Sequence, residues 1–329
     1  MEYLWLVAGF VLLIIGADIF VEGSSALAKS FKIPTIIIGL TVVAFGTSMP
    51  EASVSISAAL EGKNDIAVSN VIGSNILNLL VVLGASALIC PVKSNDTAIK
   101  HEIPFSIILT TVFGAIVAMG IHLPEDMTGI QAILNAEFKI GFLGGLILLL
   151  FIVFYVYRQI NGAVKSIKKG EIEEDAEEDQ KISLSMSLKM IVLGLFAIVM
   201  GGNYVVDNAC IIAENFGMSE HFIGLTIIAI GTSLPELVTS VVAARKGESD
   251  IALGNVIGSN IFNIAFVLGA SAVISPLTVN IVSVYDVLIL LFVSVLSLFF
   301  AKTQRRFSRV EGISMLILYS VYCGYILIR

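Results

Sequence analysis

The sequence predicts an all-α polytopic membrane protein in which ten transmembrane helices form two inverted-topology five-helix repeats. Three observations predict this class. Hydrophobic residues fill 57% of the 329 positions and charged residues only 14%, with a mean hydropathy of +0.97, which is not the composition of a water-soluble domain. Apolar segments long enough to cross a bilayer recur along the chain. The two halves also repeat one another at an offset of 185 residues.

Ten apolar segments alternate with polar connections, and most reach the roughly 20 residues that span a hydrocarbon core, although the fourth is short. The only sizeable polar connection is acidic and follows the fifth segment. The segments are predicted at about 3–28, 33–60, 66–89, 104–120, 140–157, 187–213, 221–244, 251–274, 282–301 and 313–328. The predicted domains are a first five-helix repeat at 1–157, an acidic cytoplasmic connecting loop at 158–186 and a second five-helix repeat at 187–329.

The first apolar segment has two interpretations. It leads to the small-residue triplet Ala26-Leu27-Ala28, which resembles the cleavage site of a secretory signal peptide. However, the residues before it include Glu2 and no Lys or Arg. The segment also has a counterpart in the second half, where Asp207 aligns with Glu22. We therefore expect a first transmembrane helix.

The positions of Lys and Arg predict the orientation, because cytoplasmic connections carry an excess of these residues. With both termini outside, the inside connections hold sixteen of the nineteen basic residues, and the outside keeps Lys63, Lys139 and Arg329. One missed span would scramble this division. We expect a multi-pass protein of the plasma or inner membrane, with both termini outside and the acidic loop in the cytoplasm.

The internal repeat superimposes residues 39–91 on residues 224–276 without a gap, and 32 of these 53 pairs are identical. Each half contains an odd number of predicted spans, so the two halves enter the membrane from opposite sides. Inverted repeats of this kind place substrate sites near the midplane, on interrupted helices at the repeat interface, and permit alternating access. The repeat therefore predicts a transport site shared by both halves.

One hexapeptide occurs in both halves, as Gly46-Thr47-Ser48-Met49-Pro50-Glu51 and as Gly231-Thr232-Ser233-Leu234-Pro235-Glu236. A carboxylate inside an apolar segment costs roughly 3 kcal/mol on insertion scales, so it predicts a functional site. The proline lacks an N–H and interrupts the helix. Thr and Ser precede the Glu by four and three residues, on the same face of a helix. Each hexapeptide is predicted to supply half of a cation site.

A second block also occurs twice, at residues 70–78 and 255–263. In each block a Ser and an Asn four residues apart share a helix face, which makes them candidate ligands. A purely structural role as polar contacts between helices is the alternative, above all for Asn75 and Asn260. The candidate ligands in these blocks are Ser74, Asn78, Ser259 and Asn263.

The composition of the candidate site and of the whole chain excludes several ligands. The site oxygens suit Ca2+ or Na+, suit Mg2+ less because it dehydrates reluctantly, and disfavour zinc or copper. Neither the three cysteines nor the three histidines have the spacing of a disulfide framework or a metal site. The seven acidic residues at 171–179 account for the whole net charge of −7, so the rest of the chain is neutral. The chain therefore has no basic surface that would attract nucleic acid.

The acidic run at 171–179 has two interpretations. It lacks the glycine and the alternating ligands of an EF-hand loop, so the pattern favours a solvated tether over a cytosolic Ca2+ sensor. We expect that deleting this run leaves transport intact.

Two other functional classes fit the sequence less well. An ion channel also needs intramembrane carboxylates, but inverted repeats on proline-broken helices favour alternating access. An intramembrane enzyme needs an activated nucleophile, and neither Ser48 nor Ser233 has a nearby His or Lys base. The sequence therefore predicts no enzyme and no cofactor. The expected partners are the lipid bilayer and the transported cations, with no nucleic acid and no obligate protein partner.

At these blocks the sequence resembles the calcium:cation antiporter family, and within it the prokaryotic calcium/sodium antiporters related to sodium/calcium exchangers. The hexapeptides and the two Gly-Ser-Asn-Ile blocks match that family's paired alpha repeats, and the resemblance covers essentially the whole chain. It implies Ca2+/Na+ exchange, with main-chain carbonyl ligands near Ala44 and Ala229. The side-chain ligands that the resemblance implies are Glu51, Thr47, Ser48, Ser74 and Asn78 from one half and Glu236, Thr232, Ser233, Ser259 and Asn263 from the other.

The chain departs from the family pattern at one position, because several sodium/calcium exchangers carry Asp where this chain has Asn263. The predicted site of this chain therefore has two carboxylates, whereas the site of those exchangers has three. By charge arithmetic, one Ca2+ can trade with two Na+, with two protons, or with three Na+ if the third uses neutral ligands. The predicted function is Ca2+/Na+ exchange, and the alternative is Ca2+/H+ exchange with the same two glutamates carrying protons.

Overall fold

A computed structural model describes residues 1–122, 137–169, 182–218 and 229–328. Within these residues the chain is mostly helical, and eight helices are long and apolar enough to cross a membrane. A ninth span results if Thr35–Thr47 and Met49–Leu60, which meet at a bend of 48°, form one interrupted span. The all-helical, multi-span architecture is thereby confirmed. The predicted segment at 221–244 lies partly outside the described residues, and the count of ten helices remains a prediction.

The described elements are numbered along the chain. The α-helices are α1 (Glu2–Phe31), α2 (Thr35–Ile38), α3 (Ala44–Thr47), α4 (Met49–Leu60), α5 (Asn64–Leu77), α6 (Leu83–Ile89), α7 (Ile103–Met119), α8 (Phe142–Lys169), α9 (Leu184–Asn215), α10 (Ala229–Thr232), α11 (Leu234–Arg245), α12 (Ser249–Phe262), α13 (Gly269–Ile274), α14 (Ile281–Thr303) and α15 (Arg309–Ile328). Short π-helical segments lie at Gly39–Val43, Asn78–Val82, Ala98–Glu102 and Asn263–Leu268. The strands are β1 (Val92–Lys93), β2 (Ile121–His122), β3 (Glu137–Ile140), β4 (Leu277–Asn280) and β5 (Arg306–Phe307).

Helices α1 and α9 form a long, closely packed pair. Glycines on both helices allow this approach. A Cβ added to Gly16 would lie 2.9 Å from the carbonyl oxygen of Gly194, and one added to Gly201 would lie 2.8 Å from that of Gly9. Because these neighbours are backbone atoms, larger side chains here would separate the helices. The pair is peripheral, since only 33% of the apolar stretch of α1 and 28% of that of α9 is buried.

Each hexapeptide lies at a break between two helices. In the first half, α3 and α4 flank Ser48, whose φ is −82° and ψ 4°, and Pro50 lies in the first turn of α4. In the second half, α10 and α11 flank Ser233, whose φ is −94° and ψ 7°, with Pro235 in the first turn of α11. A proline is tolerated in the first turn of a helix but not in its interior, so a new helix begins there. The predicted interruption is thus present in both halves.

The most deeply buried spans carry the two Asn-containing blocks. The span of α5 and α6 is 72% buried along its apolar stretch, and that of α12 and α13 is 78% buried. Helix α12 passes so close to the first interrupted span that a Cβ added to Gly254 would lie 2.9 Å from the backbone nitrogen of Leu40. This approach places the Asn block of the second half beside the hexapeptide of the first half.

Two segment boundaries differ from the prediction by more than five residues. The fourth segment, predicted as short at 104–120, is a full span at Ala98–Met119, because the side chain of Asn95 accepts a hydrogen bond from the backbone of Ala98 and starts the helix earlier. Helix α8 continues past the predicted end at 157 to Lys169. Its polar extension is held by Arg158, which donates to Glu102 at 2.6 Å. The acidic run at 171–179 lies outside the described residues.

The strands join connections that the orientation prediction places on the same side. β1 pairs antiparallel with β5 between two predicted inside connections. β2, β3 and β4 form an antiparallel sheet between predicted outside connections. If the prediction had missed or added one span between two paired connections, those connections would lie on opposite sides of the membrane. The pairings therefore agree with the predicted alternation of the spans.

Candidate cation site

The two glutamates of the hexapeptides are buried, and each lies in the first turn of the helix that follows a break. Glu51 in α4 and Glu236 in α11 have no exposed surface. The positive end of a helix dipole favours a carboxylate at this position. Neither carboxylate forms an ion pair with a basic side chain in the described parts of the chain. Buried charges require compensation, so each of these carboxylates needs a bound cation or a proton.

Each glutamate accepts a hydrogen bond from the serine of the other half. Ser48 Oγ donates to Glu236 Oε1 at 3.0 Å, and Ser233 Oγ donates to Glu51 Oε1 at 2.8 Å. The sequence predicted that Ser and Glu of one hexapeptide share a helix face, and the structure instead pairs them across the halves. The reason is the helix break, which lies between the serine and the glutamate. The two hexapeptides therefore meet in one site.

The second carboxylate oxygen of each glutamate, Oε2, is buried and has no hydrogen-bond partner among the described residues. The same holds for three oxygens of the Asn blocks, which are Ser74 Oγ, Asn78 Oδ1 and Asn263 Oδ1. An unpaired buried polar atom is costly and calls for an explanation, such as a ligand or ion. Five of the ten atoms of this kind in the described chain belong to residues that the sequence predicted as cation ligands.

The carbonyl oxygen of Ala44, a predicted main-chain ligand, lies beside two hydroxyl groups. Thr47 Oγ1 lies 3.4 Å from it, and Ser259 Oγ lies 3.5 Å from it. The two hydroxyl oxygens are themselves 3.5 Å apart. The three groups come from both halves of the chain, so the structure brings together one predicted carbonyl ligand and two predicted side-chain ligands.

The structure describes only part of the corresponding group of predicted ligands, which consists of Ala229, Thr232 and Ser74. Ala229 begins α10, and its side chain lies outside the described residues. Thr232 ends the same helix and is partly buried. Ser74, which corresponds to Ser259 in the repeat, is buried on α5.

The middle asparagines of the two Asn blocks join the halves by reciprocal hydrogen bonds. Asn75 Nδ2 donates to the carbonyl oxygen of Asn260, and Asn260 Nδ2 donates to that of Asn75, both at 3.2 Å. Their side-chain oxygens accept from the last asparagines: Asn78 Nδ2 donates at 3.2 Å and Asn263 Nδ2 at 3.0 Å. The amide nitrogens of Asn78 and Asn263 are therefore used in joining the halves, and their oxygens remain for a ligand.

The first asparagine of each block connects helices in a way that the sequence analysis missed. Asn255 Nδ2 donates to Ser240 Oγ at 2.9 Å and to the carbonyl oxygen of Glu236 at 3.4 Å, and its Oδ1 accepts from Thr47 Oγ1 at 2.9 Å. Asn70 makes the same two donations to α4 in the first half. Asn255 therefore fixes the start of α11 relative to a hydroxyl of the other half. A Ser fifteen residues before each of these asparagines was the available sequence signal.

The assembled groups suit a hard cation. They combine two carboxylates with hydroxyl, amide and carbonyl oxygens from both halves of the chain. Ca2+ binds six to eight such oxygens in a flexible arrangement, and softer metals prefer thiolate or imidazole ligands. One Ca2+ or two Na+ would balance the two carboxylate charges. The residues present therefore fit the binding of these cations.

Comparisons with known sequences find related proteins over nearly the whole chain. A family model described as "Sodium/calcium exchanger protein" matches residues 1–161 and 186–328. Inner membrane protein YrbG of Escherichia coli (strain K12) is 39% identical over 271 residues, which cover 82% of this chain and 79% of that protein. Sodium/calcium exchanger MaX1 of Methanosarcina acetivorans is 33% identical over 339 residues, which cover 98% of this chain and 97% of that protein.

A solved structure also matches the fold. The sodium-calcium exchanger NCX_Mj, soaked with 2.5 mM Na+ and 0.1 mM Ca2+, superimposes with a TM-score of 0.81 at 30% sequence identity. The match covers 98% of this chain and 97% of that chain. The likeness therefore extends over nearly the whole chain.

Proposed function

Because the chain belongs to the sodium/calcium exchanger family, we propose that it exchanges Ca2+ for Na+ across the membrane by alternating access. Family membership makes the chain a cation antiporter and not an enzyme, with ions as its substrates. The protein is a multi-pass membrane protein.

The observation that carries the proposal is the crossed pairing of the two glutamates. Each accepts from the serine of the opposite half, so both carboxylates belong to one site, and each keeps one unpaired buried oxygen. Cation binding would supply the missing partner of these oxygens. The proposed ligands are Glu51, Thr47, Ser48, Ser74, Asn78 and the carbonyl of Ala44, with Glu236, Thr232, Ser233, Ser259, Asn263 and the carbonyl of Ala229.

The buried charges explain why transport would be an exchange. Two carboxylates in a dry site repel one another and are poorly solvated, so the doubly charged site is unfavourable inside the membrane. Bound Ca2+ or Na+ removes that cost. The change between outward and inward openings is therefore favourable only with cations bound, and each outward movement of one ion is followed by the return of another.

We further propose that the halves at 1–157 and 187–329 are inverted five-helix repeats. Support comes from the reciprocal contacts, which join residues that correspond in the repeat. The mutual bonds between Asn75 and Asn260 are an example, since these residues are 185 positions apart. The two crossed serine–glutamate bonds have the same symmetry. Inverted repeats related by a pseudo-twofold axis through the site are common in transporters that work by alternating access.

The proposed orientation places both termini outside and the loop at 158–186 in the cytoplasm. The excess of basic residues in the inside connections supports it. The strand pairings agree with the alternation of the spans, because they join only connections assigned to one side. Under this orientation the turn at 246–248 is cytoplasmic and the turn at 61–63 is external.

The experiment that tests the exchange measures uptake of radiolabelled Ca2+ into proteoliposomes of the purified protein. An outward Na+ gradient is compared with an outward proton gradient, and the membrane potential is clamped in both. We expect uptake with the Na+ gradient alone, because the family model and the relative MaX1 are both described as sodium/calcium exchangers.

Each other outcome has a definite meaning. Uptake driven only by protons would replace the proposal by Ca2+/H+ exchange, with Glu51 and Glu236 as the proton carriers. Rapid uptake without any counter-ion gradient would indicate a channel and contradict the coupling argument. Protein-free liposomes give the background leak.

A further inference from the structure

One turn joins the site-bearing helices to the peripheral helix α1. The turn at 246–248 connects α11 to α12. Lys246 Nζ lies 2.9 Å from Asp18 Oδ1 and 3.3 Å from Glu22 Oε2, and it donates to the carbonyl oxygen of Asp18 at 3.2 Å. Glu248 Oε1 accepts from Ser25 Oγ at 2.6 Å. Both ends of the turn therefore hold the half of α1 that lies toward the proposed cytoplasmic side.

Helix packing shows the same attachment. Helix α1 packs along α11, the helix that carries Glu236. The corresponding helices in the repeat are α9 and α4, and within the described residues they do not pack along one another. The structure is therefore asymmetric. Helices α1 and α11 are joined on the proposed cytoplasmic side, whereas α9 and α4 are apart on the proposed external side.

The turn that corresponds to 246–248 in the repeat has the opposite charge order. Glu61 corresponds to Lys246, and Lys63 corresponds to Glu248. In the structure these two residues pair with each other at 2.7 Å, with their side chains about 60% exposed. Hydrogen bonding from the Lys63 ammonium lowers the pKa of the Glu61 carboxyl below its ordinary value. The external turn is thus charged and makes no ion pair with α9 in the part of the chain that the structure describes.

Helix α9 carries charges that fit this external turn. Cys210 corresponds to Ser25, the residue that Glu248 contacts, so the symmetric arrangement places Lys63 beside Cys210. Asp207 and Glu214 lie three residues before and four residues after Cys210, on the same helix face. Both carboxylates are exposed. Lys63 is positively charged where its counterpart Glu248 is negatively charged, and α9 carries acidic residues at the place that Lys63 would contact.

We propose that the two turns are alternating latches. The turn at 246–248 holds α1 while the cytoplasmic side is closed, and Lys63 holds α9 through Asp207 and Glu214 while the external side is closed. The proposal rests on the proposed function, because inverted repeats exchange their conformations during alternating access. The structure shows the state in which the cytoplasmic latch is closed.

Disulfide cross-linking in proteoliposomes tests the latches. The parent variant carries Cys90→Ala and Cys323→Ala and keeps Cys210. Ser25→Cys with Glu248→Cys can form the cytoplasmic disulfide, and Lys63→Cys can form the external disulfide with Cys210. Copper phenanthroline with oxygen serves as the oxidant, and intact mass after thiol blocking counts the disulfides. We expect each disulfide to stop Ca2+ exchange and dithiothreitol to restore it, whereas the oxidised parent remains active.

A variant that carries both cysteine pairs gives the sharper result. Each molecule is expected to form one disulfide or the other, and never both. Molecules that hold both disulfides at once would overturn the proposal, because the two latches would then be closed together. Full exchange by a cross-linked variant would overturn it as well. If the unoxidised parent itself fails to exchange Ca2+ for Na+, the proposed function fails, and the disulfide count still tests the latches.

Removing the charge of Lys246 tests the cytoplasmic latch without a disulfide on that side. In the Lys63→Cys variant, Lys246→Gln is expected to raise the rate of disulfide formation with Cys210 about three- to tenfold, as fits the modest strength of exposed ion pairs. Lys302→Gln, which removes an exposed charge elsewhere on the proposed cytoplasmic side, is the matched control and leaves the rate unchanged. An unchanged rate in Lys246→Gln would contradict the latch.

Discussion

Replacing Glu51 or Glu236 by Gln is expected to abolish Ca2+ exchange, with a loss of at least about 100-fold, or about 2.7 kcal/mol. Each glutamate is fully buried and has an unpaired carboxylate oxygen. Gln removes half of the charge that balances Ca2+, and it introduces an NH2 group that donates hydrogen bonds and cannot bind a cation. The measurement is the initial rate of Na+-driven uptake of radiolabelled Ca2+ into proteoliposomes.

The matched control is Asp65→Asn, which removes the same charge from an exposed position in the first turn of α5. It is expected to retain exchange at a rate close to that of the unaltered protein. Ordinary exchange in both Glu51→Gln and Glu236→Gln would show that the ions bind elsewhere.

Gly258→Val is expected to reduce exchange by tenfold or more, because overpacking at a rigid contact costs about 1–3 kcal/mol. A Cβ at position 258 would lie 2.6 Å from Ala44 Cβ and 2.7 Å from the carbonyl oxygen of Leu40. The added side chain would push the first broken span away from α12. That displacement would separate the Ala44 carbonyl from Ser259, so the apparent affinity for Ca2+ is also expected to weaken.

Gly162→Val is the control for the size change, since the nearest atom to a Cβ there is Ile37 Cδ1 at 3.9 Å. Uptake is measured at several Ca2+ concentrations, with size-exclusion profiles as a check of folding. Gly258→Ala supplies a milder change if the valine variant does not fold. Ordinary affinity and rate in a folded Gly258→Val variant would contradict the close packing of α12 on the broken span.

The sequence predicted the fold well where composition and repetition act directly. Long apolar runs determine which segments are helical, since backbone groups in a bilayer must be paired within the segment. The prolines at 50 and 235 predicted the breaks, because a proline removes a backbone donor. The repeat identified the two Asn blocks, which carry unpaired buried oxygens and form hydrogen bonds to each other in the structure.

The partners within the site could not be predicted in the same way. Spacing of three or four residues identifies neighbours only on a continuous helix, and the break at Ser48 separates that residue from Glu51. The bond from Ser48 to Glu236 spans 188 residues, and that from Thr47 to Asn255 spans 208 residues. Such contacts depend on how the halves pack. The contact of Lys246 with α1 also depends on how the halves pack, so the sequence did not predict it.

Anomalous diffraction from Sr2+ in crystals of this protein would locate the bound cation, because Sr2+ is a heavier analogue of Ca2+ with the same preference for oxygen ligands. We expect one strong peak between Glu51 Oε2 and Glu236 Oε2, within bonding distance of both, which weakens as Na+ replaces Sr2+. Sr2+ bound only at surface carboxylates, with none between the two glutamates, would contradict this expectation.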